Sequence, residues 1–112
     1  MKKKIRVRCW VDIDGEKFFG PGPAELLEYI QATGSISKAA KAMDMSYKKA
    51  WRIVEHLNEL GHKPYVLLQK GGQKGGGAEL TDTGKKVMDA YWKLSAQIDK
   101  IVKKEKVLLK LI

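Results

Sequence analysis

Tyr47, Lys48, Lys49, Arg52 and His56 project away from an apolar set made of Ala50, Ile53, Val54 and Leu57. At a helical repeat of about 3.6 residues, that spacing gives one face of hydrogen-bond donors and positive charge and another that seeks a core. Arg and Lys on such a face can grip a guanine edge bidentately, and Ser46 or Tyr47 can take a phosphate. A merely solvated helix face is the plain alternative, and the flanking residues weigh against it. Counting from Ile36, the residues Ala39, Ala40, Met43, Met45, Ala50 and Ile53 fill the contact positions of two short helices that cross steeply. Ala40 is small where the second helix must come close. Asp44 stands at the turn, and Asp enters the left-handed region more readily than most residues. A helix held this way can lie in the major groove of duplex DNA with its first residues at the base edges.

A second candidate is Gly71 to Gly77, with five glycines in seven residues around Lys74. A nucleotide-binding loop needs Lys followed by Ser or Thr at the start of a helix. Here Gly75 follows Lys74, and Ala78-Glu79-Leu80 reads as a strand, so nucleotide binding is not expected. The reading adopted is a wing: a hairpin tip whose backbone approaches a phosphate or the minor groove, with Lys70 and Lys74 supplying charge. A hairpin loop with no partner is the alternative. His56 and His62 have no carboxylate or thiol in register, so no metal is expected. Cys9 reads as a packed thiol. No Ser-His-Asp, Cys-His or paired-carboxylate set is legible, so neither catalysis nor a cofactor is expected.

The elements that must position these residues follow from patterning. Ile5, Val7, Cys9, Val11 and Ile13 alternate with Arg6, Arg8, Trp10 and Asp12, which predicts a strand with one buried face. Asp14-Gly15 predicts a tight turn and Lys17-Phe18-Phe19 the returning strand, giving a hairpin over 5–19. A tri-helical core is predicted over 23–60, opening at Pro23 and closing a first helix at Gly34. Its helix-turn-helix spans 36–60, with Ser35 and Ser46 as caps. The wing is predicted over 65–80 and one long helix, capped by Thr81, over 82–112. The expected fold is a single α+β, mainly helical domain spanning 1–112: a winged helix-turn-helix with an N-terminal β-hairpin and a long C-terminal dimerisation helix.

Composition agrees. The 112 residues carry 22 Lys and Arg against 13 Asp and Glu, a formal net charge of +9, which suits a polyanion. No apolar run approaches the roughly 20 residues of a spanning helix, so a membrane partner is not expected. Met1 to Arg6 starts like the charged part of a signal peptide, yet no apolar block follows, and a cytoplasmic location is expected. The single cysteine fits a reducing compartment.

Along the last helix Val87, Tyr91, Leu94, Ile98 and Ile101 recur at steps of four and three, and the pattern resumes at Leu108 and Ile112 after Glu105. That spacing makes a seam for another helix, and a second copy is the simplest occupant. Pairing with a different protein, as an adaptor module, is the rival reading. Lys100, Lys103, Lys104, Lys106 and Lys110 give the distal half a basic outer face.

Two runs carry a family resemblance: Thr33-Gly34-Ser35-Ile36-Ser37-Lys38-Ala39-Ala40, and Met45-Ser46-Tyr47-Lys48-Lys49-Ala50-Trp51. With Gly71 to Gly77, Ala78-Glu79-Leu80-Thr81 and Gly84, they resemble the DNA-binding domain of ModE-type molybdate-responsive regulators. More widely, residues from about Ala24 to Ile98 resemble the LysR-type winged domain. The resemblance implies a homodimer joined through the terminal helix and a transcriptional role in molybdenum metabolism. It implies double-stranded DNA as the partner, read by Ser46, Tyr47, Lys48, Lys49 and Arg52, with Ser37 and Lys38 added from the preceding helix. In full-length members a separate C-terminal β-rich domain binds the oxyanion, and no such segment follows here. A stand-alone DNA-binding domain is therefore expected, with the effector left open. A small oxyanion held at basic residues near a dimer axis is a third, weaker reading.

Overall fold

The computed structural model describes residues 1–69 and 77–112. At the N-terminus β1 (Val11–Ile13) and β2 (Glu16–Phe19) pair antiparallel. Asp14 and Gly15 between them take positive φ angles of 50° and 81°, the geometry an Asp-Gly hairpin turn demands. The long alternating strand does not form. Pairing begins only at Val11, and Val7 and Val11 are 52% and 48% exposed. The preceding segment instead follows the C-terminal helix: the Tyr91 hydroxyl donates to the Cys9 carbonyl at 2.8 Å, and Lys3 Nζ donates to the Leu109 carbonyl at 3.3 Å. Val11 faces Phe19 while Asp12 faces Lys17, so Phe18 is an extra residue in the ladder. That bulge breaks the strand alternation and lets both Phe18 and Phe19 enter the core.

Next, α1 (Pro21–Thr33) starts two residues earlier than Pro23, with proline in its first turn. It ends at Gly34, whose φ of 70° lets its N–H reach the Ile30 carbonyl at 2.7 Å. Both α2 (Ile36–Ala42) and α3 (Tyr47–Leu60) open on a serine cap. Ser35 Oγ accepts the Lys38 N–H and Ser46 Oγ the Lys49 N–H, each at 3.1 Å. Asp44 makes the turn between them at φ 54°, and the Met45 N–H closes it on the Ala40 carbonyl at 3.0 Å. Leu26, Leu27 and Ile30 of α1 meet Ala39 of α2 and Ala50, Val54 and Leu57 of α3 in one core cluster.

The chain returns through β3 (Val66–Gln69) and β4 (Gly77–Leu80), paired from Val66 with Leu80 to Gln69 with Gly77. This is the two-stranded base of a wing. Residues 70–76, with the Lys70 and Lys74 of the sequence reading, lie outside the described residues. Then come α4 (Asp82–Lys104) and α5 (Val107–Leu111). The single helix expected over 82–112 is thus broken. Glu105 turns extended (ψ 118°), and its carboxylate accepts the Leu108 N–H at 2.7 Å. A side-chain acceptor placed three residues ahead starts a new helix rather than continuing the old one. Among the described residues no helix is long and apolar enough to cross a membrane.

Tyr65 and Tyr91 are both buried in the core, and burial pushes both phenols above their ordinary value. At Tyr91 proximity to Cys9 adds to the rise and Arg8 opposes it. A raised phenol favours the neutral form in the fold, whereas the unfolded chain ionises near pH ~10. The contribution is therefore complete below that pH and is lost as pH climbs through it. Denaturant midpoints should hold from neutral pH to about 9 and fall beyond about 10, less steeply for Tyr91→Phe. Parallel slopes for the two proteins would assign the alkaline loss to other groups.

Candidate nucleic-acid interface

The first two turns of α3 are where chemistry gathers. The Ser46 cap and the Asp44 turn fix the start of the helix, and Ala50, Val54 and Leu57 fix its rotation by anchoring one side in the core. Lys48, Lys49 and Arg52 are consequently exposed on the opposite side. Glu55 and Glu59 share that outward side in the later turns. The basic region is thus confined to the first two turns, the part of such a helix that meets base edges.

Not every residue of the sequence reading sits there. Tyr47 is 55% exposed but leans toward Trp51, with ring centroids 6.4 Å apart and planes inclined by 29°. At about 100° per residue, these two rings stand to one side of the cations. His56 is half-buried against the hairpin, its ring 5.8 Å from that of Phe18, so it borders the interface instead of projecting from it. Ser46 Oγ spends a lone pair on its cap bond and keeps its proton to donate. Ser37 and Lys38 are exposed in the first turn of α2.

The wing is set beside α3 by Asn58, a residue that no motif or periodicity marks in the sequence. Its Oδ1 accepts the N–H groups of Tyr65 and Val66 at 2.8 and 3.1 Å, and its Nδ2 donates to the Val66 carbonyl at 3.0 Å. Thr81 ties the other strand down, with Oγ1 donating to the Pro64 carbonyl at 2.7 Å and accepting the Gly84 N–H at 2.9 Å. Gly84 is required by contact: a Cβ there would strike the Tyr65 carbonyl oxygen. The Ala78 N–H also donates to the Gly34 carbonyl at 2.9 Å, joining the wing to α1.

The seam residues divide. Tyr91 belongs to the core of its own chain, and Val87 packs against that core. Ile98 is half-buried and lines a pocket shared with Val7, Arg8 and Cys9 of the N-terminal segment. Leu94, Ile101 and Leu108 are 43%, 71% and 48% exposed. The described residues contain no group of three or more His, Cys, Asp or Glu able to hold a metal ion.

No family model matches the chain. Over 88 residues it is 42% identical to the molybdenum transport protein ModE of Azotobacter vinelandii, covering 79% of this chain and 33% of that protein. The chain is a homologue of the ModE proteins. The DNA-binding transcriptional dual regulator ModE of Escherichia coli K12 is 41% identical over 81 residues, 72% of this chain and 30% of that protein. The molybdenum-pterin-binding protein MopB of Rhodobacter capsulatus is 44% identical over 77 residues, 69% of this chain and 28% of that protein. This ModE homologue therefore spans about a third of the length of the curated relatives it matches. Among solved structures, the repressor MarR superposes with a TM-score of 0.62 at 15% identity, covering 77% of this chain and 64% of that one. The Staphylococcus aureus MepR–DNA complex gives 0.59 at 15% identity, covering 79% and 66%. The ModE homologue has the winged helix-turn-helix fold, and its sequence relatives include DNA-binding transcriptional regulators.

Proposed function

We propose that this ModE homologue is a sequence-specific, duplex-DNA-binding transcriptional regulator that acts as a cytoplasmic homodimer and has no catalytic activity. The observation that carries the reading is the start of α3. Lys48, Lys49 and Arg52 stand exposed on two turns that carry no carboxylate, on a helix held in place by a serine cap and a buried apolar side. The fold adds support, since MepR, which shares it, was solved with DNA. The names of the relatives extend the reading to genes of molybdenum metabolism. Within the winged-helix class, the Ser46-Tyr47-Lys48-Lys49-Ala50-Trp51 run is our reason for reading the helix-turn-helix as LysR-like.

Selection of bound duplexes from a random pool, at two salt concentrations, tests this directly. A palindromic site with half-sites about one helical turn apart is the expected result. Salt-sensitive binding without an enriched motif would reduce the protein to a non-specific DNA coat. On the selected duplex, Arg52→Ala should weaken binding by about 1–3 kcal/mol and relax preference at one base pair. An unchanged preference would remove Arg52 from the reading set.

A further inference from the structure

We infer that the groove between the β-hairpin and α3 binds a small aromatic carboxylate, and that this ligand and DNA exclude one another. The groove holds about 570 Å³, within the usual range for small-molecule sites. Its floor is apolar: Phe18 and Pro23 are buried there, and Met45 and Ile53 half-buried. Its mouth is cationic. Arg8, Lys17, Lys49 and Arg52 all line it and are exposed, and among the described residues no Asp or Glu does. Trp10 forms one wall, with Lys17 Nζ standing 5.0 Å from the centre of its ring.

These features select the occupant. A bare inorganic anion would satisfy the cations and leave the floor wet. A neutral aromatic would cover the floor and leave four cations unanswered. A duplex keeps its bases stacked and offers no ring to the floor. An aromatic carboxylate answers both parts, with its ring against Phe18 and its carboxylate in an Arg fork or on a Lys. Two of the cations, Lys49 and Arg52, also lie in the proposed reading face of α3. A guanidinium holding the carboxylate is withheld from guanine, so each partner lowers affinity for the other by one shared factor. This second half rests on the DNA-reading proposal, whereas the groove itself does not.

Titration calorimetry of the protein alone with 2-naphthoate, and with neutral 2-naphthalenemethanol, decides the groove. Binding at or below about 1 mM is expected for the carboxylate, with the alcohol at least about tenfold weaker. Lys17→Glu, at an exposed position, should weaken 2-naphthoate at least about tenfold, and the distant Lys104→Glu should leave it unchanged. Equal affinity for the two ligands, no binding, or equal loss in both variants would overturn the site. In a second arm, saturating 2-naphthoate should weaken duplex binding at least about fivefold, an effect absent from Lys17→Glu. Naphthoate binding with unchanged duplex affinity would overturn the exclusion. If Lys17→Glu impaired duplex binding while naphthoate failed to bind, the groove would belong to the DNA footprint. A protein that bound no duplex would overturn the DNA reading together with the exclusion, while the calorimetry would still decide the groove.

Discussion

A chain carrying both Ile101→Asp and Leu108→Asp is expected to sediment as a monomer and to bind a two-half-site duplex roughly 10²–10⁴-fold more weakly. The distal part of α4 and α5 exposes an apolar strip: Ile101 is 71% exposed, Val107 66%, Leu108 48% and Leu111 79%. A soluble protein seldom leaves such a strip bare, and a second copy would cover it symmetrically. Neither substituted side chain is in the core, so the protomer should keep its fold and its melting behaviour. Across a dimer seam, however, each Asp would face an apolar neighbour, and desolvating an unpaired carboxylate costs several kcal/mol. The DNA effect is large because a dimer places its second reading helix intramolecularly, while a monomer must recruit it from solution. Sedimentation velocity and fluorescence anisotropy on full and half sites check both parts. Affinity for a half-site should barely move, which separates lost pairing from lost folding. A wild-type chain that sedimented as a monomer would refute the homodimer and favour pairing with a different protein through the same strip. A variant that stayed dimeric would place the seam elsewhere.

Features written within four residues of one another were legible beforehand. The Asp14-Gly15 turn, the Ser35 and Ser46 caps, the left-handed Asp44 and the Gly34 stop each depend on local backbone chemistry, and all are present. The basic face of α3 was legible too, because a helix with one apolar stripe leaves little choice for the rest. What escaped depends on distant partners. The alternation from Ile5 to Ile13 reads as a strand, but among the described residues no sheet layer buries its face, and Cys9 answers to Tyr91 instead. Tyr91 fits a seam by spacing, yet Phe19 and Trp92 surround its ring at 5.3 Å, so it serves its own core. The helix break at Glu105 rests on one side-chain acceptor that a periodicity count treats as an ordinary polar position. Glu55 and Glu59 were visible in the sequence, and only the rotation of α3 shows that they share the outward face with Arg52.

Asn58→Ala should lower stability by about 2–4 kcal/mol, a fall in Tm of roughly 10–20 °C for a chain of this size. In the native protein one side chain satisfies both N–H groups at the start of the wing and the Val66 carbonyl. Tyr65 and Val66 are buried, so water can replace those bonds only by opening the base of the wing. Alanine leaves the donors unpaired, and a buried unmet donor costs more than a typical hydrogen bond contributes. Asn58→Asp separates this cause from simple loss of packing, since it keeps an acceptor for both N–H groups and turns only the donor to the Val66 carbonyl into a second acceptor. Its Tm should fall about half as far. Hydrogen exchange supplies the local reading: the amides of Tyr65 and Val66 should lose protection in Asn58→Ala ahead of those in α1 and α3, as expected for sub-global opening of the wing. A Tm change below about 3 °C, or uniform loss of protection across the chain, would mean that Asn58 does not hold the wing. Wing opening should also reach DNA binding. With the protein still folded at low temperature, Asn58→Ala should lose affinity for all duplexes alike while keeping its base preference, if, as proposed, the wing meets backbone and α3 reads bases.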